Sequence, residues 1–178
     1  MVRPPETFTT KRLLLRLPRV SDAKAIFCNY AQDSEATRYL VWRPYTDIRD
    51  TETFLKHCEM VWRENLEFPW AITLQENDDV IGMVGLRIND FKADVGYVIG
   101  PSWWSQGYAT EAVQPVVDWA LSQPTIFRVW AMVDVDNPAS ARVLEKVGMK
   151  REGVLRRSSL HPNVSDEPRD SYCYAIVK

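Results

Sequence analysis

The 178-residue sequence has few of the residues that bind metals or form disulfides, with only three cysteines and two histidines. Cys28, Cys58 and Cys173 are widely spaced, and no C-x-x-C pair accompanies His57 or His161. A structural zinc site needs four such ligands, usually in close pairs, so we expect no metal site. The odd number of cysteines favours three reduced thiols, typical of a cytosolic protein, over a disulfide framework.

The sequence also lacks an excess of either charge and any long apolar run. It contains 22 Lys and Arg against 24 Asp and Glu, a formal net charge of -2. A general nucleic-acid binder carries a basic excess, so that class of partner is excluded as the default. No apolar stretch approaches the roughly 20 residues of a membrane span, and residues 1–6 contain no signal-peptide core. We therefore expect a cytoplasmic protein with neither a membrane nor a nucleic-acid partner.

What the sequence does contain is enough apolar material, 46% of its residues, for an ordinary core. No linker divides it, so we expect a single domain over residues 1–178. Alternating or short apolar stretches predict strands at 12–17, 70–75, 80–88, 94–99, 128–135, 151–155 and 172–177. Helical periodicity predicts helices at 23–31, 34–39, 49–65, 108–122 and 138–147, with Pro115 kinking or breaking the fourth. This order is typical of a mixed α+β domain around one sheet.

The stretch 94–110 carries the strongest chemical signal, because a strand, a glycine-containing loop and a helix follow one another there. The first backbone N–H groups of a helix have no partner within it and attract anions. Gly107 and Ala109 leave room for a phosphate to approach them closely. The loop is neither a P-loop nor a G-x-G-x-x-G loop. A diphosphate fits such a site, and the alternative is that the glycines only form the turn.

The same loop resembles motif A of the GCN5-related N-acetyltransferases (GNAT family), (Gln/Arg)-x-x-Gly-x-(Gly/Ala). Positions 104–109 read Trp-Ser-Gln-Gly-Tyr-Ala, with Trp104 in place of Gln or Arg. The longer stretch 103–112, WWSQGYATEA, is similar to the YWGKGYATEA type of loop in the RimJ/RimL-like branch, which acetylates ribosomal-protein N-termini. Three more stretches resemble family segments in the same order, at 12–16, 81–86 and 137–149.

The resemblance implies a fold and a co-substrate. The fold is a mostly antiparallel twisted sheet, flanked by helices and splayed between two parallel strands. Gly96 is the expected position of the bulge that splays them, unless it only makes room for Trp130. Acetyl-coenzyme A would bind with its pyrophosphate on the loop and its pantetheine arm along the preceding strand. No metal is implied, and the implied contacts are Tyr97, Val98, Ile99, Ser105, Gln106, Gly107, Tyr108, Ala109, Thr110, Asn137 and Ser140.

The implied reaction is direct attack of an amine on the thioester in a ternary complex. It needs polarisation of the carbonyl and a proton for the departing thiolate. A backbone N–H near Val98 is expected to hold the carbonyl oxygen. Leu144 occupies the position of the Tyr that supplies the proton in many relatives, so Ser140, one helical turn earlier, is expected to supply it instead. The alternative is that Ser140 and Asn137 only support the start of a helix.

The resemblance also implies a base on the splayed strand. Asp94 corresponds to an acidic position that serves as base in some relatives, and being short it would act through a water molecule. The closest branch uses a Glu whose position holds Ser159 here. His161 lies nearby and is the alternative base.

The expected acceptor is a primary amine, and a protein N-terminus is the first expectation. An α-amine has a pKa of about 8 against about 10.4 for a lysine, so it needs less help from a base. The acceptor groove, which the loop 157–170 would gate, has four candidate walls, although aromatic residues at such positions more often belong to the core: Trp42, Tyr45, Trp62 and Trp70. Two alternatives stay open: an acetyltransferase for small-molecule amines and a non-catalytic acyl-CoA-binding module. For either enzyme we expect a monomer or a homodimer.

Overall fold

The computed structural model describes residues 2–178, which form one eight-stranded sheet with helices on both faces. The strands are β1 (Phe8–Thr9), β2 (Leu13–Arg16), β3 (Phe68–Leu74), β4 (Val80–Asn89), β5 (Lys92–Ile99), β6 (Arg128–Asp134), β7 (Lys150–Ser159) and β8 (Arg169–Val177). The helices are α1 (Ala23–Ile26), α2 (Ile48–Arg63), α3 (Tyr108–Ser122) and α4 (Pro138–Lys146). A 3₁₀ turn at Val20–Asp22 and a π-helical stretch at Phe27–Ala31 extend α1, and a second 3₁₀ turn covers Pro101–Trp103. Between residues 2 and 178 no helix is long and apolar enough to cross a membrane.

Most predicted elements are present, although β7 and β8 are longer than predicted and β1 was not predicted. The predicted helix at 34–39 is wrong, because this segment consists of turns. The Asp33 carboxylate accepts hydrogen bonds from the amides of Glu35 and Ala36, each at 2.8 Å. Such local side-chain bonds compete with a continuous helix and favour isolated turns.

The sheet is antiparallel everywhere except between β5 and β6, in the strand order β1-β2-β3-β4-β5-β6-β8-β7. The two parallel strands pair only at Lys92–Arg128, Ala93–Val129 and Asp94–Trp130. β5 then stays on β4 as far as Ile99, while β6 follows β8 as far as Asp134. The predicted GNAT fold, with a sheet splayed between two parallel strands, is confirmed.

The expected bulge at Gly96 is not present. β4 and β5 keep one register along their whole length, and Gly96 lies opposite Gly85 in it. Gly96 does not make room for Trp130 either, because a Cβ atom built on it would have no heavy atom within 4 Å. The strands diverge because each stays regularly paired with its other neighbour.

The two faces of the sheet are covered by different helices. α3 and α4 pack on one face through side chains that are almost fully buried: Ala112, Val113, Val116, Val117, Ala120, Ala141 and Leu144. α1 and α2 pack on the other face of β3, β4 and β5 around Tyr30, Leu55 and Cys58. α3 continues through Pro115 without the expected break, because its apolar stripe is held against the sheet on both sides of that residue.

A buried ion pair ties β2 to the start of the first helical segment. Arg16 at the end of β2 is 5% exposed and binds Asp22 through two nitrogens, at 2.8 and 2.9 Å. Its Nε atom also donates to Asp78 in the turn between β3 and β4, at 2.8 Å. The end of β2, the 3₁₀ turn that follows it and the distant turn between β3 and β4 therefore meet at one guanidinium.

We expect Arg16→Met to lower the free energy of unfolding by about 3 kcal/mol, because it leaves the Asp22 carboxylate buried without its cation. Urea denaturation measures the change. The control is Arg43→Met, since the pair Arg43–Asp166 is exposed on both sides, and it should change stability by less than about 1 kcal/mol. Equal effects of the two substitutions would contradict the interpretation.

Candidate active site

The loop after β5 turns sharply back into α3. The amide of Gly100 still donates to the carbonyl of Ile81 at 2.8 Å, and the indole N–H of Trp104 donates to the carbonyl of Ile99 at 2.7 Å. Two residues then adopt the left-handed conformation, Ser105 with φ of 61° and Gly107 with φ of 83°. Gly107 is the N-cap residue of α3. Glycine adopts this left-handed conformation without strain because it has no side chain.

The first turn of α3 presents free amides to one groove. Glu111 is the first residue whose amide donates within the helix, to the carbonyl of Gly107 at 3.0 Å. The preceding amides, those of Tyr108, Ala109 and Thr110, have no acceptor in the part of the chain that the structure describes. The groove beside them is lined by Thr10, Gly107, Thr110, Glu111, Gln114, Pro115, Asp118 and Lys146. Free amides, the helix dipole and the Lys146 ammonium favour an anion in this groove, whereas two carboxylates also line it: that of Glu111, which is paired with Arg12, and that of Asp118.

Arg12 and Glu111 clamp this loop onto β2. The guanidinium of Arg12 binds Glu111 with N–O distances of 2.7 Å, stacks over the ring of Tyr108 and donates to the carbonyl of Gln106 at 3.1 Å. Glu111 also accepts from the hydroxyl of Thr10 at 2.7 Å. Burial raises the pKa of Glu111, but hydrogen bonds from Thr10 and Arg12 outweigh burial and hold the pKa below its ordinary value. Sequence reasoning missed this clamp, although an acidic residue in a first helical turn is a recognisable signal.

The free edge of β5 faces the gap where β6 has diverged. Hydrogen bonding alternates along an antiparallel pair, and the bond from Gly100 to Ile81 fixes its phase on β4. In this phase the amide of Val98 points to β4, while the amides of Tyr97 and Ile99 point into the gap. The expectation of a donor near Val98 is therefore corrected, and Tyr97 supplies the first free amide beyond the parallel pairs.

Tyr97 also joins β5 to α4. Its hydroxyl lies 2.7 Å from Oγ of Ser140 and donates to the Ser140 carbonyl at 3.1 Å. Burial raises the pKa of Tyr97 to about 12, although the bond to Ser140 acts in the opposite direction. Asn137 caps α4 by accepting from the amide of Ser140 at 3.1 Å. The structure thus brings together Tyr97, Ser140 and Asn137 at one mouth of the gap, while Leu144 is buried in the core.

Asp94, the expected base, lies on the opposite face of β5 from Ser140, at the last parallel pair. Its Oδ2 atom accepts two hydrogen bonds from Arg87, at 2.9 and 2.6 Å. Arg87 is the residue directly across β4 from it, so the ion pair is a cross-strand pair. One of the two carboxylate oxygens is therefore already occupied.

His161, the alternative base, is buried rather than on a solvated loop. Its Nε2 atom lies 3.7 Å from Asp134, which also binds Arg169 at 2.6 Å. Asn163 attaches the loop after β7 to the segment before α2, because its side-chain amide donates to the carbonyls of Thr37 and Trp42. The region 157–170 is thus connected to the segment before α2.

The aromatic residues expected to line an acceptor groove divide into two groups. Trp62 and Trp70 are 3% and 0% exposed and pack against each other, so for these two the alternative of a core position holds. Trp42 and Tyr45 are half-buried and stack with a centroid distance of 4.8 Å. Only the second pair can contact a ligand from outside.

Comparisons with known proteins agree with this arrangement. The family model "Acetyltransferase (GNAT) domain" matches residues 12–150. The chain is 32% identical over 176 residues to "Uncharacterized N-acetyltransferase p20" of Bacillus licheniformis, with 97% of each chain covered. It is similar to the structure of a GNAT-family acetyltransferase from Bacillus anthracis (26% identity, TM-score 0.83, 96% and 98% of the chains covered). It also shares its fold with RimL, a ribosomal L7/L12 α-N-protein acetyltransferase in complex with coenzyme A (20% identity, TM-score 0.85, 97% and 98% covered).

We expect Glu111→Gln to lower the free energy of unfolding at pH 7 by about 2 kcal/mol, because hydrogen bonds to a charged group contribute about that much. The folded-state pKa of Glu111 is depressed, so its contribution is present above the unfolded pKa and is lost as the pH falls through the folded value. The difference from the unmodified chain should therefore shrink below a pH of about 4.

Urea denaturation at pH 7 and pH 3 measures both values. Glu59→Gln, an exposed position on α2, is the control and should change stability by less than about 0.5 kcal/mol at either pH. A pH-independent loss in Glu111→Gln would show that the carboxylate charge is not what holds the loop.

Proposed function

Because the chain belongs to the acetyltransferase (GNAT) family, and is thereby an N-acetyltransferase that uses acetyl-CoA, we propose that its acceptor is a primary α-amine, first of all a protein N-terminus. The observation that carries the acyl-transfer chemistry is the contact between Tyr97 and Ser140 across the gap between β5 and β6. It sets a hydroxyl donor beside the free amides of a strand edge, as acyl transfer from a thioester requires. We propose that the whole chain acts as one catalytic domain, since a single sheet runs from Phe8 to Val177.

Acetyl-CoA supplies the activated acetyl group, and the residues present suit it. The pyrophosphate is assigned to the loop 105–110, where the free amides of Tyr108, Ala109 and Thr110 follow Gly107, whose nearest neighbour on the side-chain side is the Arg12 guanidinium. Lys146 lines the same groove and adds a positive charge. The pantetheine arm is assigned to the free edge of β5, where the outward groups of Tyr97 and Ile99 can pair with its amides.

The proposed chemistry then follows from the groups at the gap. The amide of Tyr97 holds the carbonyl oxygen as negative charge develops on it. The Ser140 hydroxyl gives its proton to the departing thiolate and recovers one from solvent, while a hydrogen bond with the Tyr97 hydroxyl, 2.7 Å away, holds the Ser140 oxygen in place. Asn137 orients Ser140 through the helix cap. Asp94 stays the sequence's prediction for the base, with one oxygen held by Arg87.

The choice of an α-amine rests on two supports. The loop 103–112 resembles that of the branch that acetylates N-termini, and RimL, which shares the fold, is named for a protein α-amine. An α-amine, with a pKa of about 8, is already partly neutral at pH 7.5, so a carboxylate suffices as its base.

The test is a thiol-release assay with acetyl-CoA over three acceptor classes: N-terminal peptides, polyamines and aminoglycosides. We expect steady thiol release with peptides that have a free α-amine and none with the same peptides blocked at the N-terminus. Turnover only with polyamines or aminoglycosides would make the chain a small-molecule acetyltransferase. Binding of acetyl-CoA without turnover on any amine would make it a non-catalytic module.

We expect Gly107→Ala to weaken binding of coenzyme A by about tenfold or more, since a methyl group there occupies the surface assigned to the pyrophosphate. The matched control is Gly148→Ala, because Gly148 has a similar backbone conformation, with φ of 91°, at the end of α4. Calorimetry with coenzyme A measures both variants. Equal affinity losses would mean that backbone strain, not ligand approach, explains the result.

We expect Ser140→Ala to lower kcat by about 100-fold or more with little change in acetyl-CoA affinity, because a lost general acid costs turnover rather than binding. Ser122→Ala, the same change at the exposed end of α3, should leave kcat unchanged. Turnover of Ser140→Ala within about threefold of the unmodified chain would leave Ser140 only a helix residue.

A further inference from the structure

Four charged or aromatic residues form a row across the sheet on the face opposite Ser140. The registers place Arg87 opposite Asp94 and Asp94 opposite Trp130. Phe68 lies opposite Leu86, so Glu67, just before β3, begins the same row beside Arg87. Two carboxylates, Glu67 and Asp94, therefore flank one arginine at the level where the parallel pairing ends.

The next row of paired residues on this face lies toward the open end of the gap. Its two central positions, on β4 and β5, are glycines. Gly85 on β4 lies opposite Gly96 on β5. Nothing lies within 4 Å of a Cβ atom built on Gly96. At Gly85 the nearest atom to such a Cβ is the Oε1 atom of Glu67, at 3.1 Å. The Glu67 carboxylate thus lies over bare backbone, one strand away from the open space above Gly96.

The two carboxylates differ in how they are engaged. Asp94 accepts two hydrogen bonds from Arg87 on one oxygen. Glu67 makes no hydrogen bond or ion pair with any residue in the range 2–178. Its negative charge nevertheless interacts with the guanidinium of the neighbouring Arg87. A base must have a free oxygen within reach of the proton that it takes.

We propose that Glu67 is the catalytic base, and that the paired glycines Gly85 and Gly96 form the floor on which the acceptor amine lies. This inference rests on the proposed acetyltransferase function and names the face of the gap from which the acceptor enters. Neighbouring strands are about 4.8 Å apart, so an amine above Gly96 is within reach of Glu67 directly or through one water.

The two proton transfers then occur on opposite faces of the sheet. Glu67 takes one proton from the acceptor ammonium, and the neutral nitrogen forms a bond to the acetyl carbon. The C–S bond breaks, the thiolate takes a proton from Ser140, and the nitrogen gives up its second proton as the amide forms. One proton in total is released to solvent for each acetyl group transferred, so no further reactant is needed.

The groups that face Glu67 define the pH test. They are the Arg87 guanidinium on β4, Asp94 beyond it on β5, and the thiol of Cys58 on α2. Burial, followed by the charge of Glu67, raises the pKa of Cys58 to about 12, so this thiol does not titrate in the range of the assay. Between pH 6 and 9.5 the acceptor amine is therefore the group whose titration shapes the profile.

The experiment measures kcat/KM from pH 6 to 9.5 for the unmodified chain and for Glu67→Gln, with acetyl-CoA and the best acceptor from the thiol-release screen. We expect Glu67→Gln to lose about 100-fold at pH 7 and progressively less toward pH 9.5, where more of the α-amine is already neutral. Its affinity for acetyl-CoA, measured by calorimetry, should stay within about twofold of that of the unmodified chain.

Three further variants make the result decisive. Glu64→Gln, an exposed glutamate three residues earlier, should leave the profile unchanged. Glu67→Asp keeps a carboxylate and should recover part of the activity, with the pH dependence retained. Asp94→Asn should lower kcat/KM by a similar factor at every pH.

A loss that shrinks toward pH 9.5 in Asp94→Asn but is absent in Glu67→Gln would overturn the inference and return the role to Asp94. A loss in Glu67→Gln that is equal at all pH values, or that comes with weaker acetyl-CoA binding, would overturn it in favour of a structural role. Absence of turnover in the unmodified chain would overturn the proposed function itself, and the inference with it.

Discussion

The structure depends on one constraint: β5 and β6 are parallel neighbours that remain paired for only three residues. Each is fully paired on its other side, β5 with β4 and β6 with β8, so neither can follow the other without breaking an established ladder. The resulting gap leaves backbone groups of β5 without partners inside a sheet. Unpaired backbone groups are costly in a protein interior, and a ligand that satisfies them binds for that reason.

The elements around the gap keep it open and shaped. Arg12 and Glu111 hold the loop before α3 against β2 on one side. Tyr97 and Ser140 hold α4, which follows β6, at a fixed distance from β5 on the other. These contacts are polar and partly exposed, whereas the buried faces of α3 and α4 carry the apolar packing that stabilises the fold. The molecule thus separates the residues that stabilise it from those that meet its substrates.

The sequence predicted what depends on local pattern and missed what depends on register. The 3.6-residue period of α3 and the glycine at its start are local signals, and both were predicted at the correct positions. The direction of the Val98 amide, toward β4, depends on the register in which β4 pairs with β5. This register cannot be read from the sequence of either strand alone. The partnership of Asp94 with Arg87 and the approach of Glu67 to Gly85 arise from the same registers. The sequence alone could not separate Trp62 and Trp70 from Trp42 and Tyr45, because aromatic residues suit both a core and a groove.

The gap between β5 and β6 also has a thermodynamic consequence. It divides the sheet into two blocks, β1 to β5 and β6 to β8, which share three residue pairs and are otherwise joined through helices and loop contacts. A ligand lying along the free edge of β5 spans both blocks and acts as a removable ninth strand. Binding of this kind couples to unfolding by mass action and raises the stability of the folded chain by about 2.7 kcal/mol when the ligand is present at 100 times its Kd. The cellular concentration of such a ligand would then govern how long the enzyme survives as well as how fast it works.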